Sequence, residues 1–157
     1  MKYICPLITV SDIKHSRYFY EKLLNQKVKS DFGENITFHG DFAIHFQAHF
    51  EDLIDKREIK NGGNNFELYF EDDNIEQIVE RLKSNNVTFL HEIKEQPWRQ
   101  KAVRFYDPDE NIIEIGESLE FLAYRLKNEN MSIEKIAETI NMTVNFVRYS
   151  IEKYKEK

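Results

Sequence analysis

Hydrophobic and polar positions along this chain switch between a period of two and a period of three to four, and the switches predict its elements. Residues 3–10 alternate, with Cys5, Leu7 and Thr9 on one parity and Ile4, Ile8 and Val10 on the other, which predicts a strand. Ser11-Asp12 then offers a helix cap. Ile13, Ser16, Phe19, Tyr20 and Leu23 make one face of a helix reaching about Leu24, with small Ser16 allowing close packing on a sheet. Residues 42–49 alternate again, Phe42, Ile44 and Phe46 against Ala43, His45, Gln47 and His49. The plan then recurs in the second half of the chain. Phe66, Leu68 and Phe70 alternate with Asn65, Glu67 and Tyr69, Asp73 is placed as a cap, and Ile75, Ile78, Val79 and Leu82 line a helix. Each helix is followed by a polar step and another strand, NQKV in the first half and SNNVTFL in the second. The Gly62-Gly63 pair between the halves reads as a hinge.

The stretch Pro97 to Ser118 predicts a strand, a tight acidic turn and a return strand. Pro108 presets φ for the turn, and Asp107 and Asp109 can bond nearby backbone N–H groups. Val103 and Phe105 read as core, while Arg104 and Tyr106 share the parity of Ala102 and face the other way. On the return strand, Ile113 and Ile115 oppose Ile112, Glu114 and Gly116. A carboxylate in the middle of a short strand calls for a wet or ligand-lined face. The polar parities together predict one wall holding Cys5, Thr9, His45, Gln47, His49, Asn65, Glu67, Tyr69 and Glu114.

The run from Trp98 to Glu114 resembles the closing hairpin of the glyoxalase / bleomycin-resistance / extradiol-dioxygenase superfamily, the vicinal oxygen chelate proteins. There a W-G-x-R run leads into D-P-D-G-N and a strand that often bears a metal-binding Glu. This chain departs from the pattern with Arg99 and Glu110 at the two glycine positions and Lys101 where Arg is common. The resemblance spans residues 3–118 and implies an α+β fold of two βαβββ modules, about 3–50 and 64–118, forming curved mixed sheets around a cavity. Metal-dependent members take ligands at positions that fall here on Cys5, His45, Asn65 and Glu114. Glu114 matches and His45 is ligand-capable, but Cys5 replaces a histidine and Asn65 is a poor transition-metal ligand. No metal is therefore favoured. The alternative is a divalent ion (Zn, Ni, Mn or Fe) on Cys5, His45 and Glu114; Cys5 also reads simply as a small apolar strand residue.

Beyond Ser118 the pattern is helical. Residues 119–128 form one helix; Ser132 caps Ile133–Ile140 with Met131 placed against Ile136, and Thr143 caps Val144–Tyr154 with Met142 placed against Val147. This 119–157 appendage has helix–turn–helix spacing. Residues 117–157 carry seven acidic and seven basic side chains, which leave no cationic face, however, and the whole chain carries a net charge of −6, which argues against nucleic acid. The stripe Val144, Val147, Ile151 and Tyr154 reads as a surface seeking the domain body or a second subunit.

Composition narrows the class. A 41% hydrophobic, 32% charged chain of 157 residues is an ordinary globular domain with an appendage. No apolar run reaches membrane-spanning length, and the N-terminus lacks a secretory pattern. The single Cys5 excludes an internal disulfide and agrees with a cytoplasmic setting. The expected function is binding of an unidentified small organic molecule, by a homodimer, through His45, Gln47, Glu67, Tyr69, Trp98, Arg104 and Glu114 without a complete metal site. The alternative is a divalent-metal-dependent lyase or dioxygenase using Glu114 and His45. An aromatic such as Trp98 beside Arg99 and Lys101 would suit an anionic or planar ligand. Glu67 and Glu114 are expected to approach one another, and at least one of them to titrate above its ordinary value unless a cation such as Arg104 or Lys101 intervenes.

Overall fold

The predicted recurrence is present as two four-stranded sheets built to one plan. The computed structural model describes residues 1–156. The first half runs β1 (Leu7–Val10), α1 (Ile13–Tyr18) continuing into a π-helical turn (Phe19–Leu23), β2 (Val28–Asp31), β3 (Asn35–Phe38), β4 (Ala43–Phe46) and α2 (Gln47–Leu53). The second runs β5 (Glu67–Glu71), α3 (Ile75–Ser84), β6 (Phe89–Glu95), β7 (Lys101–Tyr106) and β8 (Ile112–Gly116). Strand orders are β1-β4-β3-β2 and β5-β8-β7-β6, so each module seats its opening strand beside its closing one. In the first sheet β1 and β4 are parallel, Ile8 opposite Ile44, whereas β3 pairs antiparallel with both β4 and β2. Among the described residues no helix is long and apolar enough to cross a membrane.

Two predicted strands are shorter than their alternation implied. The first begins at Leu7, so Cys5 lies outside it; Pro6 has no N–H to extend the ladder, and its carbonyl instead accepts from Ala43 N–H at 3.0 Å. The strand expected over 42–49 stops at Phe46, where its partner β1 also ends at Val10. Gln47 and His49 therefore sit on a helix, with Phe46 extended (ψ 124°) as its leading residue and Gln47 bonded to Glu51 at 3.2 Å. Phe66, expected to pack on the helices, precedes β5 and is half exposed.

Chain contacts group the molecule into two compact units. The first comprises Met1–Glu67, Glu80–Thr88 and Tyr106–Ile112. Its core is aromatic: Phe38 and Phe42 stack at 4.7 Å between centroids, and Tyr20 leans on both, all three buried. Asp12 caps α1 as expected, accepting from the N–H groups of Lys14 and His15 at 2.9 and 3.0 Å. The acidic turn closes this unit from the other end of the sequence. Asp109 accepts from Ser11 N–H at 2.8 Å and from the buried Ser16 hydroxyl at 3.2 Å, and Asp107 accepts from the Tyr20 hydroxyl at 2.8 Å. Ser16 is thus more than a small packing residue.

The second unit comprises Leu68–Val79, Phe89–Phe105 and everything from Ile113 onward, so the helical tail groups with the second sheet. Val103, Phe105 and Ile113 are fully buried in it. The tail folds as α4 (Leu119–Asn128), α5 (Ile133–Thr139) and α6 (Val144–Lys155), with Ser118, Ser132 and Thr143 each accepting an N–H three residues on. Val147 and Ile151, read from sequence as seeking a partner, are already covered: they pack with Leu122, Ala123, Leu126, Ile136 and Ile140 in one core. That removes the stripe as a reason to expect a dimer. Asp73 does not act as a helix cap either. Its carboxylate accepts from the Ser118 hydroxyl at 2.7 Å and from the Tyr154 hydroxyl, tying the tail to the start of α3.

Candidate functional site

Four of the seven expected ligand-binding residues meet on one face of the second sheet. Glu114, central in β8, is 8% exposed and forms an ion pair with Arg104 of β7. Arg104 is also 3.4 Å from the ring Nε2 of His91, its register partner on β6. Two positions along β8, Gly116 leaves the space that Tyr69 occupies: a Cβ there would stand 2.9 Å from the Tyr69 hydroxyl and 3.2 Å from Gln100 Nε2. A polar chain follows. The Trp98 indole donates to Gln100 Oε1 at 2.8 Å, Gln100 Nε2 donates to the Tyr69 hydroxyl at 3.1 Å, and Tyr69 donates to Glu71 at 3.2 Å. Burial, then the Glu71 charge, pushes the Tyr69 phenol up to about 12. Trp98 and Tyr69 each remain nearly half exposed, so the face offers two open rings beside a nearly sealed carboxylate.

Sequence reasoning missed Gln100, a buried amide that fixes both rings and also donates to the Glu117 carbonyl at 2.6 Å. Nothing in its alternation marks it, because it sits in the turn before β7. Arg99 and Lys101, expected to attract an anion beside Trp98, are committed elsewhere. Arg99 pairs with Glu95 and Glu129 at 2.5 and 2.9 Å, and Lys101 with Glu76 at 2.9 Å. The two substituted glycine positions keep glycine-like backbone, Arg99 at φ 73° and Glu110 at φ 64°. The hairpin therefore holds its shape at the expense of local strain.

The remaining expected residues belong to the first unit. His45 on β4 is buried; its Nδ1 lies 3.0 Å from the Asn35 amide nitrogen and its Nε2 2.9 Å from His49 Nδ1, the two rings stacked at 4.9 Å. With the amide as donor, His45 accepts at Nδ1 and donates from Nε2. Burial, and then the charge of His49, holds the His45 pKa below its usual value. Gln47 opens α2 and is bonded to Glu51 and Asn61. Glu67 starts β5 with its side chain exposed. Of the cations that could stand beside Glu114, Arg104 forms an ion pair with it.

The metal that the family resemblance implies finds a poor set of donors. Both ring nitrogens of His45 are engaged in the Asn35–His45–His49 chain, and Glu114 faces a guanidinium. Asn65 is exposed in the loop before β5, and Cys5 precedes β1. Among the described residues no three His, Cys, Asp or Glu side chains are grouped as a metal ion requires. The residues present do not fit that group.

The first unit also contains a cavity of about 710 Å³, lined by parts of α1, the Asn85–Thr88 segment and the acidic turn. None of the seven expected residues lines it.

The glyoxalase-like domain family model matches residues 3–120. Among solved structures, a protein of unknown function from Agrobacterium tumefaciens is 35% identical, with a TM-score of 0.68 over 75% of this chain and 94% of that one. A glyoxalase / bleomycin resistance protein / dioxygenase from Nocardioides is 17% identical, with a TM-score of 0.58 over 74% and 83% of the two chains. A fosfomycin resistance protein from Mesorhizobium loti is 15% identical, with a TM-score of 0.56 over 74% and 92%. These last two share the fold. No curated protein is similar enough in sequence to count as a match. With a repeated βαβββ plan, a closing hairpin of the expected form and a family model matching most of its length, this chain belongs to the glyoxalase-like domain family of the vicinal oxygen chelate superfamily.

Proposed function

We propose that this protein binds a small organic molecule on the polar face of its second sheet, without metal chemistry at the inherited ligand positions. The observation that carries the reading is the Arg104–Glu114 pair set into the middle of that face, beside the open rings of Tyr69 and Trp98. A buried ion pair contributes little stability over an apolar pair of similar volume. Its presence beside half-exposed aromatic surface fits recognition, in which the rings take a planar or apolar body and the charges fix polar groups. The family, which includes proteins named for drug resistance as well as lyases, is compatible with such a role.

Trp98 is the only tryptophan in the sequence, so its emission reports on this face. Screening small organic compounds by Trp98 fluorescence is expected to find saturable ligands whose effect is lost in Arg104→Met. A screen in which no compound shifts Trp98 emission saturably, or in which those that do ignore Arg104→Met, would overturn the reading. Zinc, nickel, manganese or iron retained stoichiometrically after dialysis, and lost on Glu114→Ala, would instead favour the metal-dependent enzyme. The reading includes a cytoplasmic homodimer, which family habit and the lone cysteine support; light scattering at micromolar protein tests the assembly.

A further inference from the structure

We propose a second binding site, distinct from the sheet face: the cavity beside α1 takes a small organic cation, an amine or quaternary ammonium with an aliphatic or aromatic body. At about 710 Å³ it lies within the range of small-molecule pockets, and it is contained in the first unit. Tyr18, Phe19 and Tyr106 contribute rings to its wall, and Asp107 and Glu110 contribute carboxylates. Among the described residues no Lys or Arg lines it, and His15 is the one lining residue able to carry a positive charge.

The two carboxylates differ. Asp107 is buried and already accepts from Tyr20 and from both the backbone and side-chain N–H groups of Asn111. Glu110 is exposed and has no ion-pair partner among the described residues. The chain holds it there against backbone preference, with φ at 64°, where most side chains are strained and glycine is comfortable. Gly62, itself at φ 69°, makes room: a Cβ on it would meet Glu110 Oε2 at 2.9 Å. Thus the cavity wall combines aromatic residues, whose ring faces carry negative quadrupole, with one carboxylate that has no ion-pair partner among the described residues. Both attract a cation and repel an anion. A bare metal ion fits less well, since a hard cation seeks six or more oxygens rather than rings.

The test titrates the full-length protein with choline and with its uncharged isostere, in which a quaternary carbon replaces the nitrogen, by calorimetry and by amide-shift NMR. Choline is expected to saturate, perturbing α1 and the Asn85–Thr88 segment, and the isostere to bind at least about fivefold more weakly. Glu110→Gln is expected to weaken choline roughly threefold or more. Tyr18→Leu should weaken it by a similar factor while Tyr18→Phe, which keeps the ring face, does not. Both positions are exposed, so the variants retain the fold, as a melt confirms. Equal binding of the isostere, no choline binding by the folded protein, or indifference to Glu110→Gln would each overturn the proposal.

Discussion

Arg104 and Glu114 face one another from neighbouring strands of the second sheet, and the carboxylate is the more deeply buried of the two. Removing the guanidinium leaves a charge in a site with little water. Arg104→Met is therefore expected to cost about 2–4 kcal/mol, at the lower end of the range for a broken buried pair because Arg104 is 28% exposed. The double variant Arg104→Met/Glu114→Leu should recover most of that loss. Urea denaturation of the four proteins of this cycle reads the coupling directly.

Tyr20 and Asp107 make the comparable bond in the first unit, at 2.8 Å and out of solvent. Burial raises the Asp107 pKa, while its hydrogen bonds from Asn111 and Tyr20 oppose that rise. Tyr20→Phe keeps the ring packing on Phe38 and Phe42 and deletes the donor, so the expected loss is about 1.5–3 kcal/mol. Denaturant midpoints with unchanged slope would confirm a loss of stability without loss of compactness.

His45 gives the fold a pH dependence of definite sign. Its folded pKa lies below the unfolded value of about 6.5. The stability linked to the neutral ring is complete above that unfolded value and is lost as pH falls through the folded one. The wild-type melting temperature should decline on acidification below about pH 6.5, with a shallower decline in His45→Gln. Melts recorded between neutral and mildly acidic pH, compared for the two proteins, decide it.

The modules, capping residues and hairpin were legible because they rest on local chemistry. Ile75, Ile78, Val79 and Leu82 recur at helical spacing, Ser132 and Thr143 reach their own following turns, and Pro108 sets its own φ. What alternation could not mark depends on residues far away in sequence. Strand β4 ends where its partner β1 ends, which nothing within residues 42–49 records. Asp73 looked like a cap until Ser118 and Tyr154 came to it from the tail. Val147 and Ile151 looked unsatisfied because their cover, Leu122 and Leu126, lies on another helix. Within the candidate site, Glu114 and Arg104 were readable from parity, whereas Gln100 and the cavity arise from turns.

Glu110 offers a stability gain with a functional reading attached. Replacing it by glycine removes the side chain that makes φ 64° unfavourable, and Glu110→Gly is expected to stabilise the protein by about 0.5–1 kcal/mol. A rise in melting temperature accompanied by loss of choline binding would show that the strain is held for the sake of the carboxylate.

The bonds from Asp109 to Ser11 and Ser16 bear on how the protein is made. Ninety-eight residues separate Asp109 from Ser11. At ordinary rates of about 5–20 residues per second, a ribosome needs on the order of 5–20 s to cover that distance. Throughout that interval the nascent first helix presents Phe19, Tyr20 and Leu23 without the turn that later fastens it, so the amino-terminal half emerges first yet must wait for the second half before it can lock.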